Sequence, residues 1–460
     1  MKFSIEYGVM KSILDDIAAF RTKSNSAAFT IGIKDPSGNT EKLASSVTVV
    51  NKGMQVTKAF YVPMPAEYEP LTNEDGSVVP FLSFAVKAER FSQVVGSLLA
   101  YESDILIDVN GNSAVLSVGT KATFPVDLVG EDQLEPVLPQ ENKKAIAMVA
   151  LKTSNFNMLA RKGGFLYAED EAHHFADRVL FTLSGDAKIE IYSTNVFSMA
   201  KAWCDAKIQY KEGNLFTLLL NQKLASLTGE KKETFEKALA DIKDAAALEA
   251  FAKENDLGHE FSFSLLSNAF KVLRNVVSGT ENFCAIVTDN YLYVNAGSIM
   301  ATFTLGNSIP RCYSAMDSFE SLPVVASVAL DTEELSRGLS ILNLAKNNAT
   351  GTVPVALSLN KSSLSLSCNG SSIKIPYVEN KGELKSQRFL SVDYLREITD
   401  SLDKGNVVLE FREENRIPLC IHNGTLEGKS NSVAYCFLVN APKKVKETKK
   451  TEDDAPSEEE

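Results

Sequence analysis

Two short stretches of the sequence contain residue types that could take part in catalysis. The first combines acids and histidines, which are metal-binding residue types, and consists of Glu169, Asp170, Glu171, His173, His174 and Asp177. Adjacent histidines point to opposite sides of a strand, or about 100° apart on a helix, so they rarely bind one metal ion together. We interpret this stretch as a solvated loop. A hydrolase that uses it is a remote alternative, which a metal analysis would test.

The second stretch contains the glycines and the basic residue of a phosphate-binding loop, at Gly424, Gly428, Lys429 and Ser430. Only three residues separate the glycines where the motif requires four. The stretch also lies between two strand-like segments, with no helix to direct its N-terminus at a phosphate. It is predicted to be a hairpin turn. Since the sequence also lacks a nucleophile elbow and a His-Glu-x-x-His motif, no catalytic residue, metal ion or cofactor is predicted.

Six segments with helical apolar spacing form the framework of the chain, and each follows a short extended stretch. They begin near Tyr7, Lys87, Thr153, Leu266, Asp331 and Ser391. Strand-like alternation broken by turn residues follows each of them. One gap is longer than the others, and removing residues 209–258 makes the spacing uniform. We therefore interpret the chain as six copies of a unit with one helix and several strands.

Two acidic stretches that contain proline, at 130–141 and 316–323, divide the six units into three pairs. The predicted domains are 1–130, 145–316 with a helical insertion at about 209–258, and 322–442, in an α+β fold. A length of 460 residues agrees with three domains at about 150 residues each.

The insertion is predicted to be helical from Glu230 to about Asn255 and to pack on the second domain, and a docking surface for a partner is the alternative. Residues 443–450 hold five lysines and one acid, and residues 452–460 hold six acids, so the segment 443–460 is predicted to form a disordered tail.

Composition and the cysteine pattern indicate where in the cell the protein is located. Hydrophobic residues make up 44% and charged residues 23% of the chain, as in ordinary globular proteins. No apolar run approaches the length of a membrane helix, and the N-terminus has no apolar signal core. Six cysteines without a C-x-x-C pair are interpreted as reduced core thiols. A cytoplasmic protein without a membrane partner is predicted.

The chain has a net charge of −12, but some of its predicted helices carry only basic charges. The third and fourth helical segments contain Arg161 and Lys162, and Lys271 and Arg274, without any acid. If all six helices lined one surface, an acidic protein could still present a basic track to phosphates. The last two helices carry several acids and fit this interpretation less well. The other predicted DNA-binding residues are Arg21, Lys23, Arg90, Arg337, Lys346 and Arg396.

Several segments, in order along the chain, resemble one known family. They are the opening Met-Lys-Phe-Ser-Ile-Glu, the strand pair at 180–195, Ser-Ile-Pro-Arg-Cys-Tyr at 308–313, Phe-Leu-Ser-Val-Asp-Tyr-Leu at 389–395 and Ala-Tyr-Cys-Phe-Leu at 434–438. Together they resemble the bacterial beta sliding clamp, the processivity factor of replicative DNA polymerases, from Met1 to about Asn440. The resemblance implies a DNA-clamp fold of three similar domains, each with two βαβββ-like units. It also implies a homodimeric ring, with antiparallel sheets outside and helices lining a central channel around double-stranded DNA.

The resemblance further implies two contact sites. A dimer interface would contain Phe124 on one chain and Ile341 and Leu342 on the other. A pocket for peptides of the DNA polymerase and the clamp loader would be lined by Thr194, Val196, Phe197, Met199, Pro310, Cys436 and Leu438. In this pocket Val196-Phe197-Ser198 replaces Gly-His-Arg of the family pattern, and Leu438-Val439-Asn440-Ala441 replaces Met-Pro-x-Arg.

These replacements predict peptide docking with an altered partner preference. The sequence therefore predicts a non-enzymatic DNA sliding clamp that tethers a polymerase. The alternative is a clamp-derived protein-interaction scaffold that no longer slides on DNA.

Overall fold

The chain divides into two compact units, residues 1–315 and 316–460. In the computed structural model the described residues are 2–17, 25–34, 41–65, 71–72, 74, 78–79, 82–139, 144–167, 176–185, 187–242, 244–255, 260–306, 313–345, 353–413, 417–428 and 430–440. The hydrophobic core of the first unit is continuous from Phe3 to Leu305. The separation of domain 1–130 from domain 145–316 therefore stays a prediction.

The helices begin within one residue of all six predicted starts. They are α1 (Tyr7–Asp16), α2 (Ala88–Leu98), α3 (Thr153–Lys162), α4 (Glu212–Ser226), α5 (Glu230–Ala240), α6 (Ala245–Glu254), α7 (Ser267–Val277), α8 (Ser314–Glu320), α9 (Thr332–Leu344) and α10 (Val392–Ser401). The six predicted helices correspond to α1, α2, α3, α7, α9 and α10.

The strands of the first unit are β1 (Lys2–Ile5), β2 (Ser26–Lys34), β3 (Lys42–Asn51), β4 (Met54–Pro63), β5 (Leu71–Thr72), β6 (Val78–Val79), β7 (Leu82–Lys87), β8 (Ile105–Asn110), β9 (Ser113–Val118), β10 (Ala122–Asp127), β11 (Ala147–Lys152), β12 (Arg178–Ser184), β13 (Lys188–Thr194), β14 (Ser198–Asp205), β15 (Lys207–Tyr210), β16 (Phe261–Leu266), β17 (Asn282–Val287), β18 (Tyr291–Ala296) and β19 (Ile299–Thr304). Those of the second unit are β20 (Val324–Asp331), β21 (Pro354–Leu359), β22 (Ser363–Cys368), β23 (Ser371–Pro376), β24 (Glu379–Gly382), β25 (Arg388–Ser391), β26 (Asn406–Arg412), β27 (Leu419–Asn423) and β28 (Ser432–Cys436).

The sheets are antiparallel throughout the described pairings. In the first unit the strand orders are β1-β8-β9-β10, β15-β11-β17-β18-β19-β4-β3-β2-β7 and β16-β12-β13-β14, besides a short β5-β6 pair. In the second unit they are β28-β27-β26-β20-β24 and β23-β22-β21-β25. The pairing of β19 with β4 joins strands from predicted domains one and two into one sheet, with Ala301 opposite Val56.

Alternating side chains explain how helices cover one face of each sheet. In β3, Leu43, Ser45, Val47 and Val49 are buried, and the alternate residues Ala44, Ser46 and Thr48 are only partly buried. Because successive side chains of a strand point to opposite faces, this pattern gives each sheet one apolar face for the helices. The Phe270 ring of α7 lies 5.9 Å from both Phe156 of α3 and Phe181 of β12, measured between ring centroids. These ring contacts fix α3 and α7 on the sheet.

The insertion is helical, as predicted, but contains more structure than the sequence indicated. Helices α5 and α6 fall within the predicted helical region and are separated at 241–244, and the Phe235 and Phe251 rings lie 5.3 Å apart. Helix α4 precedes them, with Leu215 and Leu220 fully buried. Strand β15 leads into it and pairs with the edge of β11, Tyr210 lying opposite Ala147. The insertion therefore packs on the first unit, and its use as a docking surface stays a prediction.

Candidate functional site

Helices α3 and α7 expose a polar face without acids in the described part of the chain. Their apolar side chains, including Phe156, Leu159 and Phe270, are buried. The exposed residues of the two helices include Ser154, Asn157, Arg161, Asn268, Lys271, Arg274 and Asn275, which we call the α3–α7 face. The Lys271 ammonium lies 4.9 Å from the centroid of the Tyr167 ring. This face offers hydrogen-bond donors and positive charge. Phosphate groups accept hydrogen bonds from such donors and are attracted by the positive charge.

Lys162 does not belong to this face. Its side chain is only 5% exposed, although the neighbouring Arg161 is exposed. Lys162 follows Leu159 by three residues, and residues at this spacing share one side of a helix. Its predicted placement on the exposed surface is therefore wrong.

The remaining predicted DNA-binding residues are distributed over several helices. Arg90 is exposed on α2 and Arg337 is exposed on α9. On α10, the Arg396 Nε lies 3.5 Å from Asp400 Oδ2, in an ion pair within the helix. Arg21, Lys23 and Lys346 lie outside the described residues.

The predicted peptide pocket includes a tight hairpin between β13 and β14. Thr194 Oγ1 donates a hydrogen bond to the Ser198 carbonyl oxygen at 2.8 Å, and accepts one from the Val196 amide at 3.1 Å. Val196 has a φ of +77°, in the left-handed region that branched side chains avoid. Phe197 is 45% exposed, whereas Thr194 and Met199 are buried. The hairpin therefore presents Phe197 to solvent.

An ion-pair cluster lies on the same hairpin and was not predicted from the sequence. The Glu190 carboxylate contacts the ammonium groups of Lys188 and Lys201 and accepts a hydrogen bond from the Tyr192 hydroxyl. Burial raises the pKa of Glu190, but the hydrogen bonds from Lys188 and Tyr192 and the charge of Lys201 outweigh it, so the pKa lies below its ordinary value. The carboxylate is therefore held ionised on β13, four residues before Thr194.

The end of α3 approaches the backbone of this hairpin closely. The Gly163 carbonyl oxygen accepts a hydrogen bond from Ser193 Oγ at 2.6 Å. A Cβ atom at Gly163 would lie 2.7 Å from both the Ala202 nitrogen and the Ile191 oxygen. Only glycine fits here without displacing the helix or the strands.

The other predicted pocket residues lie in the second unit or outside the described residues. Cys436 is fully buried at the end of β28 in the second unit, and Leu438 follows it with partial exposure. The Val439 amide donates a hydrogen bond to the Phe389 carbonyl oxygen at 2.8 Å, which holds this segment beside β25. Pro310 lies outside the described residues.

Two edge strands bear on the predicted dimer interface. In the described pairings, β10 in the first unit and β23 in the second unit each have one neighbouring strand and expose most of their residues. Phe124 on β10 is 38% exposed, and Ile341 on α9 is 52% exposed. Leu342 is fully buried within the second unit. It is therefore not placed to contact a second chain, whereas Leu344 on the same helix is 80% exposed.

The second unit also contains a titratable cluster on β26 and β27. His422 Nε2 lies 3.7 Å from Glu410 Oε1, and Arg412 Nη2 lies 2.9 Å from Glu410 Oε2. The hydrogen bond with His422 and the Arg412 charge lower the pKa of Glu410 despite its burial. Burial lowers the pKa of His422, but hydrogen bonds with Glu410 and the Asn423 carbonyl outweigh it and raise the pKa above its ordinary value.

The segments with catalytic residue types give no catalytic arrangement among the described residues. Asp177 accepts a hydrogen bond from the Ser267 hydroxyl, while the acids and histidines from 169 to 174 lie outside the described residues. No cluster of His, Cys, Asp and Glu suited to a metal ion occurs in the described part of the chain. Residues 424–431 connect β27 and β28, which pair antiparallel, so the predicted hairpin is confirmed.

Two observations concern the predicted cellular context. Cys284 is exposed, so the prediction that the cysteines are core thiols is wrong for this residue. None of the helices in the described ranges has the length and apolar character needed to cross a membrane.

Comparison with known proteins identifies the fold. No protein-family model and no curated protein matches the chain. Its structure is similar to the DNA polymerase sliding clamp of Bacillus subtilis, with a TM-score of 0.69 and 15% sequence identity. It is also similar to the sliding clamp of Pseudomonas aeruginosa (TM-score 0.67, 13% identity) and to the DNA polymerase III beta subunit of Thermotoga maritima (0.69, 12%). Each match covers 96% of this chain and 100% of the other. The chain therefore has the sliding-clamp fold, and the predicted α+β fold class is confirmed.

Proposed function

We propose that this protein is a DNA sliding clamp, a homodimeric ring that encircles double-stranded DNA and tethers a replicative DNA polymerase. The observation that carries the proposal is the acid-free α3–α7 face in a chain of net charge −12. Contacts with phosphates are independent of base sequence, so such a face attracts DNA without fixing the protein at one site. The sliding-clamp fold supports the same function.

Ring closure would use the two exposed edge strands. An edge strand carries backbone amides and carbonyls that can pair with another chain. We propose that β10 of one chain pairs with β23 of a second chain, with Phe124 and Ile341 at this interface. Two different patches meeting head to tail form a ring when the rotation between subunits closes.

The proposed mechanism is topological and needs no chemical step or cofactor. A closed ring remains on DNA because it surrounds the duplex, while weak phosphate contacts permit sliding. The test is retention of the protein on a nicked circular plasmid after assembly by a clamp loader. We expect retention on the circle and rapid loss when the plasmid is linearised. Equal retention on both forms would contradict enclosure.

The oligomeric state is tested by light scattering. We expect the mass of two 50.1 kDa chains. Ile341→Asp should produce monomers, because it places a charge in the proposed interface. Val324→Asp is a matched control, since Val324 is 43% exposed in the same unit but lies on β20, outside both α9 and β23. A dimer that persists in the Ile341 variant would contradict the proposed interface.

The peptide pocket is tested separately. Phe197→Asp should abolish binding of a polymerase C-terminal peptide, because the exposed ring would supply the apolar contact. Val137→Asp is the control, since Val137 is 64% exposed but distant in sequence from the hairpin. Unchanged binding by the Phe197 variant would contradict the pocket. A stable monomer that binds peptides and is not retained on circles would instead support the interaction scaffold.

A further inference from the structure

We infer that each chain contacts DNA through the α3–α7 face alone, and that helices α9 and α10 make no phosphate contact. This inference rests on the proposed clamp function and narrows the predicted DNA-binding set from ten residues to three. In a homodimeric ring the duplex would therefore be held by two such faces, one from each chain, rather than uniformly by all helices.

The α3–α7 face has the composition that phosphate contact requires. Arg161, Lys271 and Arg274 are exposed and supply three cations, and the exposed serine and asparagine residues supply uncharged donors. The sequence of each helix contains no Asp or Glu. Phosphates approaching this face therefore meet no like charge from α3 or α7 themselves, and the Asp177 carboxylate accepts a hydrogen bond from Ser267 at the start of α7.

Helices α9 and α10 have the opposite charge balance. Helix α9 carries Glu333 and Glu334 against Arg337, and α10 carries three acids against Arg396. The acids of α10 are Asp393, Glu397 and Asp400, and all three are exposed. This surface repels phosphates.

Two cations around α9 and α10 are also held in ion pairs within their own unit. Arg396 pairs with Asp400 on α10. Lys404 Nζ, just after α10, lies 2.8 Å from Glu333 Oε1 on α9. A phosphate would have to compete with these carboxylates for the same cations. Exposed pairs of this kind contribute little to stability, so their main effect here is on local charge.

Helices α1 and α2 each combine an exposed cation with at least one acid. Lys11 of α1 and Arg90 of α2 are exposed, but Asp15 follows on the first helix and Glu89 lies on the second. Neither helix has an excess of positive charge. Only α3 and α7, among these helices, therefore combine exposed cations with an absence of acids.

The salt dependence of DNA association measures how many cations of each surface contact phosphates. Removing one contact between a cation and a phosphate reduces the slope of log affinity against log salt by about 0.9. Replacing Arg161, Lys271 and Arg274 by alanine removes three contacts per chain and six per dimeric ring, so the slope should fall by roughly 5. The matched control replaces Arg337, Arg396 and Lys404 by alanine, removes the same number of charges, and should leave the slope unchanged.

Cross-linking locates the contact directly. A photo-reactive amino acid is placed at Asn157 on α3, Gln93 on α2 or Ser340 on α9, all of which are exposed. With the clamp assembled on nicked circular DNA, we expect cross-links from position 157 and background from 93 and 340. Equal yields at 157 and 340, with the protein retained on circles, would overturn this inference and leave the proposed function intact. Absence of cross-links at every position, with no retention of the unchanged protein, would overturn both.

Discussion

Val196 provides a test of the hairpin conformation at the candidate peptide pocket. Its φ of +77° places a β-branched residue in the left-handed region, where glycine has no steric penalty. The perturbation compares Val196→Ala with Val196→Gly. Both substitutions remove the valine side chain, so the loss of its partial burial is common to the two variants and cancels in their difference.

The expected magnitude follows from two opposing contributions. An alanine in the left-handed conformation costs about 1–2 kcal/mol, which glycine avoids. Glycine in turn loses more backbone freedom on folding, which costs roughly 0.5–1 kcal/mol relative to alanine. The glycine variant should therefore be more stable than the alanine variant by roughly 0.5–1 kcal/mol. At a position with an extended backbone, the alanine variant would be the more stable of the two.

Amide hydrogen exchange in β13 and β14 measures this difference locally, which a global melt of a chain with two units does not. The expected gain in protection is roughly two- to five-fold for glycine over alanine. Ala200→Gly is the control, because Ala200 is fully buried within β14, and there glycine should reduce protection. If glycine protected the hairpin less than alanine at position 196, the left-handed assignment would be refuted.

Three further predictions concern stability. Lys162→Ala should lower the free energy of unfolding by about 1–2 kcal/mol in urea titrations, because the buried stem loses its packing, and should leave retention on circular DNA unchanged. Gly163→Ala should destabilise the chain by about 1–3 kcal/mol through backbone overlap, whereas Gly279→Ala, which meets no atom within 4 Å, should not. Because the pKa of His422 is raised, the stability from its pairing with Glu410 is complete below the ordinary histidine pKa of 6.5 and is lost as pH rises through the raised value. The free energy of unfolding of the His422→Gln variant, measured at several pH values, should not show this decline with rising pH.

The helices could be predicted from the sequence because their signal is local. Apolar residues three and four positions apart define a buried stripe, and all six predicted starts agree with the structure. The same spacing also contains information that the predictions did not use. Lys162 shares a side of α3 with Leu159, and Leu342 shares a side of α9 with Leu339, so each lies on a buried stripe.

Other features depend on contacts between residues that are distant in sequence. The pairing of β19 with β4 joins residues about 240 positions apart, and no local pattern specifies it. The Glu190 cluster forms because β13 and β14 place Lys201 opposite Tyr192, a register that the residue types alone do not give. The replacement at Val196 was visible in the sequence, but its backbone conformation depends on the hydrogen bonds of Thr194.

Trp203 is the only tryptophan of the chain and lies on β14, in the hairpin that carries the candidate peptide pocket. The ammonium groups of Lys188 and Lys201 lie 5.0 and 5.8 Å from the centroid of its ring. The emission of an indole shifts when nearby charges move. The tryptophan emission of the unlabelled protein therefore comes from a single position within this hairpin, and peptide titrations can follow it.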